Sequence, residues 1–175
     1  MKNRLEQFRA NNKIQSAKYR KLVNNKFLFK LFLMKSLPMG FLAGLSVKSC
    51  DEKKCEITVP YRWLNQNPFS STYFAVLAMA AEMSSGMISL MHTNKSNPSV
   101  SMLVTKLEAE FIKKATTITT FTCEEGDAIL KTIEESVLTG EATSIVCSAV
   151  GRSSSGEIEA KFLVTWSFKA RKPKD

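Results

Sequence analysis

The sequence predicts an α+β domain in which a six-stranded antiparallel sheet wraps one long central helix. Three observations lead there. Tyr73 to Met91 is a nearly uninterrupted apolar run, and between Arg62 and Lys95 the only formally charged residue is Glu82. A helix that is apolar on nearly all sides belongs inside a protein rather than on its surface. The segments around it alternate apolar and polar residues with the period of a strand. Their order is two strands, the long helix, two strands, a short extra helix and two strands, behind N-terminal helices.

At 175 residues the chain is most simply one domain, large enough for a sizeable core. Its net charge of +9 is localised: residues 1–35 hold ten Lys and Arg against one acid, Glu6, and the remainder balances. A small echo follows at Lys169, Arg171, Lys172 and Lys174. A protein that coats nucleic acid carries its charge on the folded face, so no nucleic-acid partner is expected. A basic arm suits phosphates, anionic lipid or an acidic neighbour. The four cysteines form no Cys-x-x-Cys pair, and with a single His they complete no metal set. They read as free thiols of a reducing, cytoplasmic compartment. No signal peptide is recognisable, because the first apolar cluster begins near Phe27 and is broken by Lys30 and Lys35.

Residues 1–37 form a basic, amphipathic helical segment. Met1 to Val23 carries sparse apolar residues and reads as a loosely attached helix. Phe27 to Leu37 is an amphipathic helix with a broad apolar face, ended by Pro38. It suits either an interfacial membrane helix or packing against the domain or a subunit. Met39 to Gly44 reads as a connector. Leu45–Cys50 and Cys55–Tyr61 alternate as strands about the polar turn Asp51–Lys54. Tyr61 to Pro68 is a loop, after which Ser70, Ser71 or Thr72 can cap the central helix. Beyond Asn94–Pro98, Ser99–Phe111 and Ala115–Cys123 read as strands. Asp127–Leu138 is a short helix with Ile129, Ile133 and Val137 at four-residue spacing, stopped by Gly140. Glu141–Gly151 and Glu157–Phe168 complete the sheet across a Ser-rich turn.

The stretch Val59-Pro60-Tyr61-Arg62-Trp63-Leu64-Asn65-Gln66-Asn67-Pro68-Phe69, followed by Ser71-Thr72-Tyr73-Phe74-Ala75 and Ala80-Ala81-Glu82, resembles the DUF4442 subfamily of the hotdog fold. The resemblance runs from about Phe29 to Phe168 and includes the extra helix between the fourth and fifth strands. It implies a hotdog domain over residues 38–175. Some members are described as acyl-CoA thioesterases. In the related phenylacetate-pathway type, the helix follows an Asn-x-x-Gly-x-x-His-Gly-Gly pattern whose Gly amides polarise the thioester carbonyl. An Asp or Glu two turns later attacks it or activates water. Here Ser70-Ser71-Thr72 stands near the His-Gly-Gly, the carboxylate position falls on Met79, and Glu82 lies three residues further on.

A helix start offers unpaired amides and positive partial charge to a carbonyl oxygen or a phosphate. The candidate ligand-binding residues there are Ser71, Thr72, Asn65 and Asn67, although the two asparagines equally suit shaping the turn. Glu82 is the candidate general base, since a lone carboxylate in an apolar helix has a raised pKa. The plainer alternative is an ion pair with a Lys or Arg, or a solvated seam. His92, far from the helix start, reads as a surface or interface residue. The expected function is hydrolysis of an acyl-CoA to free acid and coenzyme A at a subunit interface of a dimer or tetramer, with no cofactor. The alternatives are a non-catalytic acyl- or lipid-binding protein and a peripheral protein held to membrane by the basic N-terminus.

Overall fold

A computed structural model describes residues 2–171; Lys172 and Lys174 of the basic tail lie outside the described residues. Three helices come first: α1 (Lys2–Asn24), α2 (Lys26–Ser36) and α3 (Pro38–Ala43). The hairpin β1 (Ser46–Cys50) and β2 (Cys55–Val59) leads through a 3-10 turn at Trp63–Asn65 into α4 (Phe74–Thr93). Then come β3 (Val100–Phe111), β4 (Thr119–Cys123), α5 (Gly126–Thr139), β5 (Ala142–Arg152) and β6 (Ile158–Ala170). The six strands form one antiparallel sheet in the order β1-β2-β4-β5-β6-β3.

The sheet curls around α4, as the apolar run predicts. Ala80, Ala81, Ser84, Ser85, Ile88 and Ser89 have no exposed surface. The small side chains of the alanines and serines let the sheet approach the helix closely, and the serine hydroxyls bond within it: Ser84 donates to the Ala81 carbonyl at 2.7 Å and Ser89 to that of Ser85 at 3.0 Å. The helix is long and apolar enough to cross a membrane by composition, but two-thirds of it is covered by the rest of the chain. It is a core helix. Along β6 the alternation that begins at Ile158 in the sequence is seen from Ala160 through Phe162, Val164, Trp166 and Phe168 to Ala170; at the start of the strand Glu159 is buried and Ile158 only half-buried. Helix α5 ends at Gly140, whose φ of +78° is the left-handed closing conformation. Its first residue, Gly126, lies directly under the β1–β2 turn, where a Cβ would come within 2.1 Å of the Glu52 carbonyl oxygen.

Helix α1 is not loosely attached. Phe8, Asn12, Ser16, Tyr19 and Val23 form a buried stripe against α4 and α5, and Arg9 makes a two-pronged contact with Glu134 of α5 at 2.7 and 2.8 Å. Asn24 then covers the edge of β1. Its side chain accepts from the Cys50 N–H and donates to the Cys50 carbonyl, as a neighbouring strand would. Residues 39–44 are also not a plain connector: with Pro38 they close the single-turn helix α3. Strand β4 begins at Thr119, later than expected, because the preceding segment bonds elsewhere: the Ile112 and Lys113 amides donate to the Glu159 carbonyl, and the Ala115 carbonyl accepts from Thr72. His92 is a further correction. It is 3% exposed, beneath α1, with Nδ1 3.2 Å from the Asn12 side-chain amide, and burial pulls its pKa below the ordinary value.

Candidate functional site

Two clefts meet the exposed side of α4. The first lies at the helix start. The chain enters through the Asn65–Thr72 loop, which is built from side-chain hydrogen bonds. The buried Asn65 side chain donates through Nδ2 to the carbonyls of Ala43 (2.9 Å) and Pro60 (2.7 Å), while the Asn65 main-chain carbonyl accepts from Tyr73 N–H. Asn67 Oδ1 accepts from the amides of Phe69 and Ser71, and Ser70 takes a left-handed φ of +58° to complete the turn. Both asparagines therefore shape the loop, and of the two only Asn67 borders the cleft.

The expected hydroxyl cap is absent. The helix begins after Tyr73, which has no side-chain cap. The Ser71 hydroxyl is bonded to Asn67 and that of Thr72 to the Ala115 carbonyl. The amides of Ser71 and Thr72 are also engaged, by Asn67 Oδ1 at 3.2 Å and the Ala115 carbonyl at 2.8 Å. The free donors are one step further on. Among the described residues no acceptor is found for the amides of Phe74 and Ala75, the first two of the helix. Phe74 borders a cleft of about 580 Å³, walled also by Phe69, Leu77, Phe111 and Ile112. Phe74 stacks edge-on against Tyr73 and Phe111, which fixes this wall. Lys114 reaches across the rim to the Phe69 carbonyl at 3.1 Å.

The second cleft, about 210 Å³, lies between α4 and the α2–α3 junction and holds Glu82 with Met79, Met83, Leu37 and Met39. Gly86 makes room for the carboxylate, since a Cβ there would sit 3.1 Å from Glu82 Oε1 and 3.3 Å from the Trp166 ring. Trp166 is itself tied to the helix through its Nε1–H, which donates to Ser85 Oγ at 2.9 Å. Burial alone raises the Glu82 pKa, from 4.5 to about 7, and no charge or donor among the described residues offsets it. The ion-pair alternative for Glu82 thus has no partner within the described chain.

The two clefts are on one stripe in the first half of α4, where Phe74, Ala75, Ala78, Met79 and Glu82 are the residues left wholly or partly open. They are not one site within a single chain. Seven residues of helix separate Ala75 from Glu82, about 10 Å along the axis. A base and an oxyanion donor acting on one carbonyl must each be within about 3 Å of the reacting atoms. The sequence reading missed the Phe74 and Ala75 amides, and also Glu159. That residue is 2% exposed and accepts from Thr119 Oγ1 at 2.7 Å, with burial the main cause of its raised pKa.

A family model, described as a domain of unknown function (DUF4442), matches residues 25–167. The chain belongs to this family. The match covers every element of the DUF4442 domain from α2 to most of β6, and α1 precedes it. No curated protein sequence matches closely enough to carry a function across. Among solved structures the chain is similar to a protein of unknown function from Pseudomonas aeruginosa, called a probable thioesterase. The TM-score is 0.73 and the identity 15%, over 83% of this chain and 95% of that one. It is also similar to a protein of unknown function from Chlorobaculum tepidum (0.70, 17%, 89% and 94%). A third is a thioesterase from Haemophilus influenzae (0.61, 13%, 83% and 91%). These likenesses establish the fold: this DUF4442 protein has the thioesterase-like hotdog architecture.

Proposed function

We propose that the protein hydrolyses an acyl-CoA, giving free acid and coenzyme A, at a site shared by two copies of the chain. The observation that carries this is Glu82: a carboxylate without a partner, in an apolar cleft, with a pKa of about 7. A general base is most effective when its pKa lies near the working pH. Glu82 takes a proton from water as the water oxygen bonds to the thioester carbonyl carbon. The carbon–sulfur bond then breaks, and the thiolate leaves and is protonated from solvent. The oxyanion needs donors, and the free Phe74 and Ala75 amides at a positive helix end are suited to it.

The 10 Å between these amides and Glu82 is the reason for a second copy. A two-fold contact along the open stripe of α4 sets the helix start of one copy against Glu82 of the other. The sheet favours such a contact. Strand β3 is at its edge, twelve residues long, with Leu103 and Leu107 exposed. Long open edges are templates for pairing. The opposite edge, β1, is short and closed by Asn24. The Glu82 cleft is smaller than the ~300–1,000 Å³ of sites that enclose a whole ligand. It suits the acyl end, while the helix-start cleft, with Lys114 at its rim, suits the pantetheine and phosphates.

One observation favours a second reading, acyl binding without hydrolysis: Met79, not a carboxylate, stands at the position the thioesterase pattern assigns to the acid. Release of free thiol from acyl-CoA substrates of graded chain length decides between them. Wild type releases thiol, and Glu82→Gln is slower by about 100-fold or more. Binding without turnover in wild type leaves only the second reading.

A further inference from the structure

Helix α2 has two apolar faces, and only one is used by the fold. Phe29 and Leu33 point into the core. On the opposite side Phe27, Leu31 and Met34, at spacing i, i+4 and i+7, form an outward ridge within about 60° of arc. Phe27 is 70% exposed there. Lys30 and Lys35 flank the ridge, Lys26 precedes it, and α2 contains no acid. The apolar surface continues through Leu37, Met39 (63% exposed), Phe41 and Leu42 of the α2–α3 segment. It is extended by the turn packed beside α3, where Trp63 is 82% exposed. A soluble monomer does not present this much contiguous apolar surface without a use.

We propose that α2, α3 and the Trp63 turn form a docking face for an anionic phospholipid bilayer, and that a long acyl chain enters the Glu82 cleft from that side. The first half stands on the face alone; the second rests on the acyl-thioester reading above. Charge decides the occupant. Lysines on both flanks of an apolar ridge extend their charged ends to phosphate headgroups while the ridge enters the acyl boundary. A second copy of the chain on the same face would set lysine against lysine across a two-fold axis, with no acid on α2 to offset them. Leu37 and Met39 belong both to the face and to the lining of the Glu82 cleft. The cleft mouth therefore lies at the edge of the docking face. The basic segment expected to touch membrane is thereby narrowed: α1 is engaged with the core and with Glu134, and α2–α3 carries the contact.

Vesicle co-sedimentation of the full chain tests this. The probes are phosphatidylcholine vesicles and vesicles of equal parts phosphatidylcholine and phosphatidylglycerol. Wild type is expected to pellet with the second and not the first, and to be released by high salt. Leu31→Glu with Met34→Glu is expected to lower the bound fraction roughly tenfold. Lys30→Gln with Lys35→Gln, which leaves the apolar ridge and the fold intact, lowers it severalfold. Neither pair lines a cleft, so hydrolysis of a short, soluble acyl-CoA stays at the wild-type rate. Wild type that remains in the supernatant with both vesicles overturns the proposal. So does vesicle binding that both variants retain, or a Leu31→Glu/Met34→Glu protein that changes from dimer to monomer with vesicle binding unaltered. Vesicle binding by a wild type that hydrolyses nothing keeps the docking face and removes the thioesterase reading.

Discussion

Below about pH 5 the Glu82 carboxyl is neutral, and above about pH 8 it is an ion that the described chain does nothing to pair. Its pKa is raised in the folded state, so the folded protein holds the proton more tightly than the unfolded one. The stability this contributes is full below the unfolded value of 4.5 and is lost as pH rises through about 7. Glu82→Gln removes the ionisation. The variant is therefore expected to match wild type near pH 4.5 and to exceed it by about 1–3 kcal/mol at alkaline pH. Denaturant midpoints at the two pH values check this; equal differences at both would mean the charge is neutralised in the assembled protein. A strongly perturbed carboxylate in a cleft is a candidate functional group, and general base catalysis is one role it suits. Glu82 stood out in the sequence as the single charge in the apolar run. The helix-start donors were expected at Ser71 and Thr72, but a main-chain amide has no residue type, and the amides and hydroxyls of those two residues are bonded elsewhere.

The helices and strands differ in how openly the sequence declared them. Strands β5 and β6 and helix α5 were legible because each alternates or repeats its apolar residues with a simple period, and α4 because it is apolar on nearly all sides. Helix α1 was not. Its buried stripe runs Phe8, Asn12, Ser16, Tyr19, Val23, and two of the five are polar residues that find partners or space only in three dimensions. The same blindness hid His92, whose cover is α1. Helix α3 is too short to show a period, although Pro38 at its first turn was the available sign. Glu159 falls at a polar position of the β6 alternation, but it is buried, and the Ile112 and Lys113 amides donate to its main-chain carbonyl. The firm seating of α1 has a measurable consequence. Phe8→Ala is expected to lower unfolding stability by about 3–5 kcal/mol, as loss of a buried ring does in a well-packed core. A loss below 1 kcal/mol in chemical denaturation would indicate a peripheral α1.

At the scale of the whole molecule the fold is that of a hotdog thioesterase-like protein, and one chain holds the parts of the proposed site without joining them. The helix-start donors and the proposed base are about two turns of α4 apart. In the proposal, pairing through β3 unites them. Leu103→Arg with Leu107→Arg places charge on the open edge while leaving the β3–β6 ladder in place. This variant is expected to sediment as a monomer, to remain folded by circular dichroism, and to lose hydrolysis. A folded monomer that hydrolyses at the wild-type rate would show that one chain suffices. Fold and candidate acid were thus readable from residue pattern, whereas the division into two clefts depends on side-chain positions that no pattern encodes.

The most direct measurement is the pH dependence of kcat/KM for acyl-CoA hydrolysis, made on wild type and Glu82→Gln side by side. This ratio reports the ionisations of the free enzyme. The expected wild-type rate rises with pH through a midpoint of about 7. The expected Glu82→Gln profile is at least about 100-fold lower and lacks that limb. Equal rates with the same alkaline rise in both proteins would remove Glu82 from the chemistry.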